Sequence, residues 1–293
     1  MVVIIDAQQV IRTVMGGLTE FLDGLGRALV AHASGRGVVP PRTSFTVGGD
    51  WWGVMPGYVG GGVAVKVVGV HPGNAGEGLP TVTGAVAYFD ARGRLLAVMD
   101  GEAITGVRTA GATAISAMVA GAPTSTIGVV GTGVEARYHL MLLTAVFKPR
   151  RVLVAGRDPG KAARLAGEFG GEAVGLGDVV GADLIVLATS SASPLFNSVP
   201  RGRRHVASIG APRPVAELGR GLIEEAGCVL VDTRNAVNEA GEDLSGVELV
   251  ELGEALMGRK CPAKELTVYK GVGFAALDAG AADFIASKLL LRR

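Results

Sequence analysis

A glycine-rich turn between a short apolar run and a helix-compatible segment constrains the fold of this chain most strongly. The apolar run 127–130 stops at Gly131-Thr132-Gly133, and the segment 134–147 that follows is compatible with a helix. Gly131 permits a tight turn, and Gly133 leaves room for a pyrophosphate to approach the backbone. The N-terminus of the helix offers free N–H groups to phosphate oxygens. The pattern therefore predicts a dinucleotide-binding strand-turn-helix unit.

The sequence after this turn strengthens the prediction. A lone motif is weak in a chain with 46 glycines. Here, however, apolar runs alternate with helix-compatible segments, the runs lying at 151–155, 184–188, 206–209 and 229–231. Strands separated by helices are typical of a parallel, doubly wound sheet. We therefore expect an α/β fold of the Rossmann type in this part of the chain.

The sequence before residue 120 has a different pattern. Short strands separated by polar or glycine turns are predicted at 43–47, 63–70, 83–89 and 94–99, and they suggest an antiparallel sheet. A helix is expected at 102–120, another around 249–257, and a last one at 275–291. The last helix is too apolar to stand free, so we expect it to pack back on the first sheet. The predicted domains are an α+β domain of residues 1–119 with 266–293, and a Rossmann domain of residues 120–265.

Charge and composition exclude several classes of partner. The net charge is +1 and no block of like charges occurs, which argues against nucleic acid or a membrane surface. We find no apolar run close to the ~18 residues of a membrane span. The N-terminus lacks the basic start of a secretion signal. Cys228 and Cys261 lie far apart and have no metal-binding spacing, so we expect reduced thiols, no metal and a cytoplasmic protein.

Lys66 is the most unusual charged residue in the first region. It is the only charged residue between Gly60 and Val70. Burying an unpaired ammonium group is costly. Lys66 therefore either lies on an edge strand, where it guards against aggregation, or faces a cavity where an anion or a reacting carbonyl compensates its charge. The spacing alone favours neither alternative.

Three further charged residues are candidates for a binding site. Arg42 opens a predicted strand, and Arg108 lies within small, apolar sequence. Each alone is typical of a surface arginine, but together with Lys66 they could hold a carboxylate, which arginine binds in a fork geometry. Asp232 follows the apolar run 229–231, at the strand end where ligands bind in open α/β sheets. It is either a general base, a partner for a cationic imine, or a structural cap.

The second strand of the dinucleotide unit ends in the residues that select the cofactor. An acid at this end accepts a hydrogen bond from the 2′-hydroxyl of NAD, whereas an arginine suits the 2′-phosphate of NADP. The first charged residue here is Arg157, which favours NADP(H). Asp158 follows directly, and a shift of one residue would place an acid at the ribose, so NAD(H) stays possible.

Motifs in a specific order and spacing extend over nearly the whole chain: Val39-Pro-Pro-Arg42, Met55-Pro56, Val65-Lys66-Val-Val-Gly-Val-His71-Pro72-Gly-Asn74, Gly78-Leu-Pro-Thr81-Val, Met99-Asp-Gly101, Arg108-Thr-Ala-Gly-Ala-Thr-Ala-Ile-Ser-Ala117, the turn from Gly131 to His139, Ser208-Ile-Gly-Ala211, Val231-Asp232, Gly241-Glu242 and Tyr269-Lys-Gly-Val-Gly273. Together they resemble the ornithine cyclodeaminase/mu-crystallin family, which includes archaeal alanine dehydrogenases and cyclic ketimine reductases. The resemblance implies a homodimer whose first domain binds substrate and dimerises, and whose Rossmann domain binds NAD(H) or NADP(H).

The resemblance also implies roles for individual residues. The substrate-binding residues would be Arg42, Met55, Lys66, Thr81 and Arg108. Lys66 and Asp232 would be catalytic, with Asp232 acting on the amine, the imine or the attacking water. The cofactor would contact Thr109, Gly131, Thr132, Gly133, Val134, Arg157, Thr189, Ser190, Ile209, Gly210 and Gly273.

This chain departs from the family pattern at three places. A frequent Ile-Gly-Ala-Asp segment is Ile209-Gly-Ala-Pro212 here, and Lys-Ser-Val-Gly is Lys270-Gly-Val-Gly273. The cyclodeaminases tend to carry an acid just before Met-Pro, suited to a distal ammonium group. This chain has Trp51-Trp52-Gly53-Val54 before Met55, so the pocket there is expected to be apolar or aromatic.

These features favour an NAD(P)H-dependent reductase or dehydrogenase that transfers hydride to or from the α-carbon of a small amino, imino or keto acid. A cyclic ketimine reductase and an alanine dehydrogenase are both compatible with this reading. One alternative is ornithine cyclodeaminase, a lyase that uses NAD+ to convert ornithine to proline and ammonia. A second alternative is a non-catalytic NADP(H)-binding protein, against which the cationic residues and Asp232 argue.

Overall fold

The chain divides into two compact units. The computed structural model describes residues 2–262 and 264–290. Unit 1 combines Met1–Arg108 with Phe274–Arg293, and unit 2 is Thr109–Gly273. Unit 1 is thus assembled from two separate parts of the sequence.

The strands follow in the order β1 (Val3–Ile5), β2 (Thr43–Val47), β3 (Asp50–Tyr58), β4 (Val63–Val70), β5 (Val82–Phe89), β6 (Leu95–Asp100), β7 (Thr126–Val130), β8 (Arg151–Ala155), β9 (Glu172–Ala173), β10 (Leu184–Leu187), β11 (Arg204–Ser208), β12 (Cys228–Val231), β13 (Glu248–Glu251) and β14 (Leu266–Lys270). The helices are α1 (Ala7–Gly16), α2 (Leu18–Ala33), α3 (Gly101–Ala120), α4 (Val134–Phe147), α5 (Pro159–Glu168), α6 (Leu176–Val179), α7 (Arg220–Ala226), α8 (Ala236–Glu239), α9 (Leu252–Leu256) and α10 (Ala275–Leu289), with a short 3-10 helix at Pro72–Glu77.

Unit 1 contains a six-stranded sheet in the order β1-β6-β5-β4-β3-β2. The pairs from β2 to β6 are antiparallel, as the sequence predicts, and β1 runs parallel to β6. Helix α10 packs on β3 and β4. The contact is close, because a Cβ at Gly57 would lie only 2.7 Å from the carbonyl oxygen of Ala275. The predicted end of α10 at Leu291 lies outside the described residues.

Strand β3 is missing from the sequence-based prediction. Its sequence contains Pro56 and two glycines, which are unfavourable in most strands. The sheet tolerates the proline because β2 pairs only with Asp50–Val54 of β3. Pro56 lies beyond that pairing, so no ladder hydrogen bond to β2 is lost there.

Unit 2 contains an eight-stranded parallel sheet in the order β13-β12-β14-β11-β10-β7-β8-β9. Strand β7 has its successor β8 on one side and β10 on the other. The strand order therefore reverses at β7, and this switch point is where open α/β sheets bind ligands. The central strands β7 and β10 are buried except for partly exposed Thr126, as in parallel sheets covered by helices on both faces. The predicted Rossmann-type fold is confirmed.

Three predictions about unit 2 need correction. The border expected at 265/266 is wrong, because β14 pairs with β11 and β12 inside the parallel sheet. The first border also differs, since α3 divides between the units after Arg108 rather than after residue 119. The helix expected around 249–257 is instead the edge strand β13 followed by the short helix α9. Short apolar runs do not distinguish strand from helix, and here the pairing with β12 decides.

Helix α3 begins one residue before the helix predicted at 102–120, and it is strongly apolar. By length and composition its 20 residues could cross a membrane. However, 78% of the apolar window is buried within the protein, as expected for a central helix of a globular fold. The burial of α3 therefore accounts for its composition.

The two cysteines form a disulfide, which corrects the expectation of reduced thiols. Cys228 opens β12, and Cys261 lies in the segment before β14. Their Cα atoms are 5.7 Å apart although 33 residues separate them in sequence. Because β12 and β14 are neighbours in the sheet, the fold brings these distant cysteines together.

Candidate active site

The turn after β7 has the geometry that a dinucleotide requires. Gly131 has a φ of 127°, which favours glycine, and a Cβ there would collide with the carbonyl oxygen of Ala188. Its N–H donates to the carbonyl of Ala155 at 2.9 Å. Only glycine therefore fits at the start of this turn.

Gly133 leaves an open space at the N-terminus of α4. It is the N-cap of that helix, and a Cβ there would meet no heavy atom within 4 Å. Thr132 is packed, since a Cβ on Gly156 would lie 2.6 Å from its methyl group. Val134 is exposed beside the turn. Open space of this kind at a helix N-terminus fits the pyrophosphate of a dinucleotide.

Arg157 and Asp158, the two residues that could select the cofactor, differ in their surroundings in the segment after β8. Asp158 is the N-cap of α5, and its Oδ1 accepts from Lys161 N at 3.0 Å. This backbone hydrogen bond lowers the pKa of Asp158 below its ordinary value. Arg157 is exposed at the end of the strand. The carboxylate is thus used to begin a helix, and the guanidinium is left at the surface.

The carboxyl ends of β10 and β11 carry four predicted cofactor residues. Thr189 and exposed Ser190 follow β10, and Ile209 with buried Gly210 follows β11. Thr189 donates to the buried carboxylate of Glu217 from both its N–H, at 2.6 Å, and its hydroxyl, at 2.8 Å. The sequence analysis missed Glu217, which lies in a loop with no motif of its own.

Asp232 ties together the ends of β12 and β14. It is buried and accepts from Val272 N at 3.1 Å and from Gly273 N at 2.6 Å. It also accepts from Thr233 N at 3.0 Å. It does not cap α8, whose N-cap is Asn235. The structure thus places Asp232 beside Gly273 and fixes the orientation of its carboxylate.

Lys66 lies in the interior of unit 1. Its strand β4 is flanked by β3 and β5, so the edge-strand alternative is wrong. Only 2% of the residue is exposed. Its direct cross-strand neighbours are Met55 and Val86, which are apolar and buried. The predicted substrate residues Lys66 and Met55 are therefore adjacent.

The partner of Lys66 is Asp278 on α10. Lys66 Nζ lies 2.8 Å from Asp278 Oδ1 and 3.3 Å from Thr105 Oγ1. Arg108 Nε donates to the same Asp278 oxygen at 3.0 Å. All three charged side chains are less than a tenth exposed. We call Lys66, Arg108 and Asp278 the cationic cluster.

Burial and neighbouring charges set the protonation of this cluster. Burial lowers the pKa of Lys66 to about 8, a shift that Asp278 opposes and that Arg108 and Arg42 reinforce. Burial alone would raise the pKa of Asp278, but the two cations outweigh it and hold the pKa below its ordinary value. The three side chains are therefore mainly in their charged forms at neutral pH.

Lys66 and Arg108 converge on one oxygen of Asp278, so two cations of the cluster share this anion. Arg42 is close enough to influence Lys66 as a third cation. Burying net charge is costly unless a counter-charge arrives. A substrate carboxylate would supply that charge and match the donors of arginine. The arrangement is chemically suited to binding a small carboxylate.

Asp278 is absent from the sequence-based candidates. Its signal resembles that of Lys66, because it is a lone charge in the apolar run Ala275-Ala-Leu-Asp278-Ala-Gly. A search for an acid able to pair with Lys66 would therefore have identified Asp278.

Thr81 is another residue that the family resemblance places in the substrate pocket. It is exposed before β5, and its carbonyl accepts from His71 N at 2.7 Å. The imidazole of His71 contacts Asp50 Oδ2 at 2.8 Å and Thr83 Oγ1 at 3.0 Å.

Beside Met55, an apolar cluster contains Val39, Trp51, Val68, Val82 and Ala275. The surface near Met55 is thus apolar and aromatic, as expected.

Metal binding finds no support in the described part of the chain. No group of three His, Cys, Asp or Glu residues within 2–262 and 264–290 is arranged to hold a metal ion. The residues that carry charge in both units instead suit organic ligands, a dinucleotide in unit 2 and a carboxylate in unit 1.

Comparison with known proteins identifies relatives along the whole chain. Residues 5–292 match the sequence profile of the ornithine cyclodeaminase/mu-crystallin family. Delta(1)-pyrroline-2-carboxylate reductase 2 of Burkholderia ambifaria is 31% identical over 92% of this chain and 91% of its own. Ketimine reductase mu-crystallin of Mus musculus is 34% identical over 80% of this chain and 79% of its own. The structure of Thermococcus litoralis Delta(1)-pyrroline-2-carboxylate reductase with NADH and L-proline superposes with a TM-score of 0.88, at 26% identity, over 99% of this chain and 98% of that one.

Proposed function

The chain belongs to the ornithine cyclodeaminase/mu-crystallin family, and on that premise we propose that it reduces cyclic α-imino acids with NADPH. It is an NAD(P)-dependent oxidoreductase that acts at the α-carbon of a small amino or imino acid. Δ1-Pyrroline-2-carboxylate, a five-membered ring, is the substrate in the names of two of the relatives described above. The convergence of Lys66 and Arg108 on buried Asp278, with Arg42 nearby, is the observation that carries this proposal.

Unit 1 binds the substrate through its carboxylate. Arg108 and Lys66 donate to the carboxylate oxygens, and Arg42 contributes a third positive charge nearby. Asp278 holds both cations through one oxygen, so they reach the substrate in a fixed geometry. Such positioning lowers the entropic cost of reaching the transition state.

Lys66 and Asp232 have separate proposed roles, the first in donating a proton and the second in stabilising positive charge. With a pKa of about 8, Lys66 is an ammonium at neutral pH and a ready donor to an oxygen or nitrogen of the substrate. Asp232 is assigned to the imine nitrogen, whose positive charge its carboxylate stabilises. The bound nicotinamide supplies the hydride that reduces the α-carbon.

Unit 2 binds the cofactor. Gly131, Thr132, Gly133 and Val134 would hold the pyrophosphate at the start of α4, where Gly133 leaves open space. The nicotinamide end is assigned to Thr109, Thr189, Ser190, Ile209, Gly210 and Gly273. Arg157 would contact the 2′-phosphate, since Asp158 is engaged as a helix cap. An Arg157→Ala variant should lose about tenfold or more of the preference for NADPH over NADH, because a charge-assisted bond is worth ~1.5–3 kcal/mol.

The apolar surface beside Met55 favours a ring over an amino-alkyl chain. Trp51 and valines pack around Met55, and no acid precedes it in Trp51-Trp52-Gly53-Val54. Ornithine would place its distal ammonium group in apolar surroundings, at a high desolvation cost. A cyclic imine has no such group. This difference argues against the cyclodeaminase alternative.

A panel of turnover assays tests the proposal. Purified protein is mixed with NADPH or NADH and with Δ1-pyrroline-2-carboxylate, Δ1-piperideine-2-carboxylate, or pyruvate with ammonia. A parallel reaction contains ornithine and catalytic NAD+. We expect net oxidation of NADPH with the cyclic imines. Ammonia release from ornithine without net cofactor oxidation would instead identify a cyclodeaminase, and cofactor binding without any turnover would favour a binding protein.

Two further properties are proposed with the function. We propose a homodimer formed through unit 1, as the family resemblance implies, and a cytoplasmic location. Sedimentation of the purified protein tests the first, since a monomer at micromolar concentration would contradict it. Cell fractionation of the native host tests the second.

A further inference from the structure

Three ionisable side chains are buried together in unit 2, away from the glycine-rich turn. Glu217, Glu242 and Lys270 are all less than a twentieth exposed. Two of them, Glu242 and Lys270, belong to motifs that the assignment of substrate and cofactor residues leaves without a role. Burying three charges is costly, and apolar residues of similar volume would often stabilise a fold equally well. Their arrangement therefore calls for an explanation beyond stability.

Lys270 is fixed at the end of β14 by three kinds of acceptor. Its Nζ donates to the carbonyl of Gly210 at 2.6 Å and to Ser208 Oγ at 3.0 Å. It also lies 3.0 Å from Glu242 Oε2 and 3.1 Å from Oε1. All three ammonium protons are thus directed to partners, one of them the backbone of a predicted cofactor residue.

Glu217 joins the ends of two neighbouring strands. One carboxylate oxygen accepts both hydrogen bonds from Thr189, which follows β10. The other accepts from Gly210 N at 2.9 Å and from Ser208 Oγ at 2.8 Å, after and within β11. The carboxylate packs so tightly that a Cβ on Gly210 would lie 2.8 Å from it. Glu217 therefore fixes the spacing between these two strand ends.

Glu242 in turn holds the segment that carries Glu217. Its Oε1 accepts from Glu217 N at 2.8 Å and from Leu218 N at 3.2 Å. The chain of contacts runs from β14 through Glu242 and Glu217 to the carboxyl ends of β10 and β11. In open α/β sheets, that edge is where the ligand lies.

We propose that Glu217, Glu242 and Lys270 are positioning residues that fix the backbone at Thr189 and Gly210 against the nicotinamide end of the cofactor. The inference rests on the proposed function, because it assumes that the ends of β10 and β11 hold the nicotinamide. None of the three side chains needs to touch the reacting atoms. They act by holding groups that do, and errors of about 1 Å in such positioning can reduce rates by ~10²-fold.

The test compares Glu217→Gln with the parent protein. The amide directs an NH2 group at either Thr189 or Gly210 and Ser208, so one strand end loses its acceptor. We expect kcat to fall roughly 10-fold to 100-fold, with a larger primary deuterium isotope effect from deuterated NADPH. NADPH affinity should weaken by about tenfold, whereas affinity for 2′-phospho-ADP-ribose, which lacks only the nicotinamide, should stay within about twofold, since only the nicotinamide end is misplaced.

Glu251→Gln is the matched control. Glu251 is a buried carboxylate at the end of β13 and accepts from Arg234 N at 2.8 Å. In the sheet, β12 and β14 separate β13 from β11. Its variant should keep the parental kcat and isotope effect even if it melts earlier. If Glu217→Gln does not fold, Ser208→Ala carries the test, because it removes only the hydroxyl that links Lys270 to Glu217.

Two results would overturn the inference. One is a folded variant with parental kcat, isotope effect and NADPH affinity. The other is an equal loss of affinity for NADPH and for 2′-phospho-ADP-ribose, which would show that the cluster only maintains the domain. If the parent protein reduces none of the imines, the proposed function fails, yet the two affinities still decide the role of the cluster.

Discussion

At the residue scale, one carboxylate oxygen organises the charges of unit 1. Asp278 Oδ1 accepts from both Lys66 and Arg108, and no other described residue donates to its Oδ2. Two positive charges thus converge on one point inside apolar surroundings. Because removing one member of a buried ion pair leaves the others uncompensated, each member has a distinct and measurable effect.

The first prediction concerns Asp278→Asn. The variant removes the anion that Lys66 and Arg108 share, so we expect turnover to fall at least ~10²-fold as their positioning is lost. Stability should fall by roughly 3–5 kcal/mol. Asp283→Asn is the control, since Asp283 is a half-buried carboxylate on the same helix that accepts from Tyr88 Oη at 2.7 Å and Gly62 N at 2.9 Å. Steady-state kinetics and urea unfolding on both variants check this. Equal activities in the two would contradict it.

The second prediction concerns the pH profile and Lys66. Because burial lowers the pKa of Lys66 to about 8, the side chain is charged below that pH and neutral above it. The specificity constant kcat/KM should therefore decline as the pH rises through about 8. In Lys66→Arg, which stays charged, the decline should move to higher pH, whatever the absolute rate. In Lys66→Met, turnover should fall by ~10²-fold or more. An unchanged alkaline limb in Lys66→Arg would remove Lys66 from the site.

At the scale of elements, local sequence predicts some parts of the structure and not others. The β7–turn–α4 unit and β8 agree with prediction because glycine geometry and apolar periodicity are local properties. Strands β3 and β13 were not predicted, since their state depends on pairing with distant strands. The disulfide has the same cause, because β12 and β14 meet only in the folded sheet.

The same division applies to the candidate site. Lys66, Arg42 and Arg108 stand out in the sequence as isolated charges, and the family motifs support them. Asp278 and Glu217 were not predicted because their role lies in contacts with residues far away along the chain. A sequence therefore predicts the role of a buried acid only when the residue that pairs with it has already been identified.

The third prediction concerns the turn before α4. A Gly133→Val variant should fold normally, because a Cβ at Gly133 meets no protein atom within 4 Å. The side chain would instead fill the cradle at the helix N-terminus, and affinity for NADPH should fall below detection. Fluorescence titration with NADPH measures this, beside a Gly177→Val control on α6, where a Cβ likewise meets nothing. Undiminished NADPH binding would refute the assignment of this turn.

At the scale of the whole molecule, the disulfide closes a long loop across unit 2. Disulfides are rare in cytoplasmic proteins of mesophiles but common inside hyperthermophiles. The chain has only six Asn and Gln residues, a composition that fits high growth temperature or a GC-rich genome. A structural disulfide is therefore compatible with the proposed cytoplasmic location.

The fourth prediction follows from the size of that loop. Reduction should lower the free energy of unfolding by roughly 3–4 kcal/mol, the chain-entropy value for a loop of this length. Urea unfolding with and without reductant measures the change, and a Cys228→Ser/Cys261→Ser variant should match the reduced protein. Thiol titration of the unreduced, unfolded protein should find none. Two free thiols there would show that the bond does not form.

The central claim is that this protein reduces a cyclic imine that it holds by a carboxylate. Its most direct test compares NADPH oxidation with Δ1-pyrroline-2-carboxylate and with Δ1-pyrroline, which is the same ring without the carboxylate. Two charge-assisted hydrogen bonds are worth ~1.5–3 kcal/mol each, so we predict that kcat/KM is at least ~10²-fold higher for the carboxylate. Equal reduction of both imines, or reduction of neither, would contradict the account.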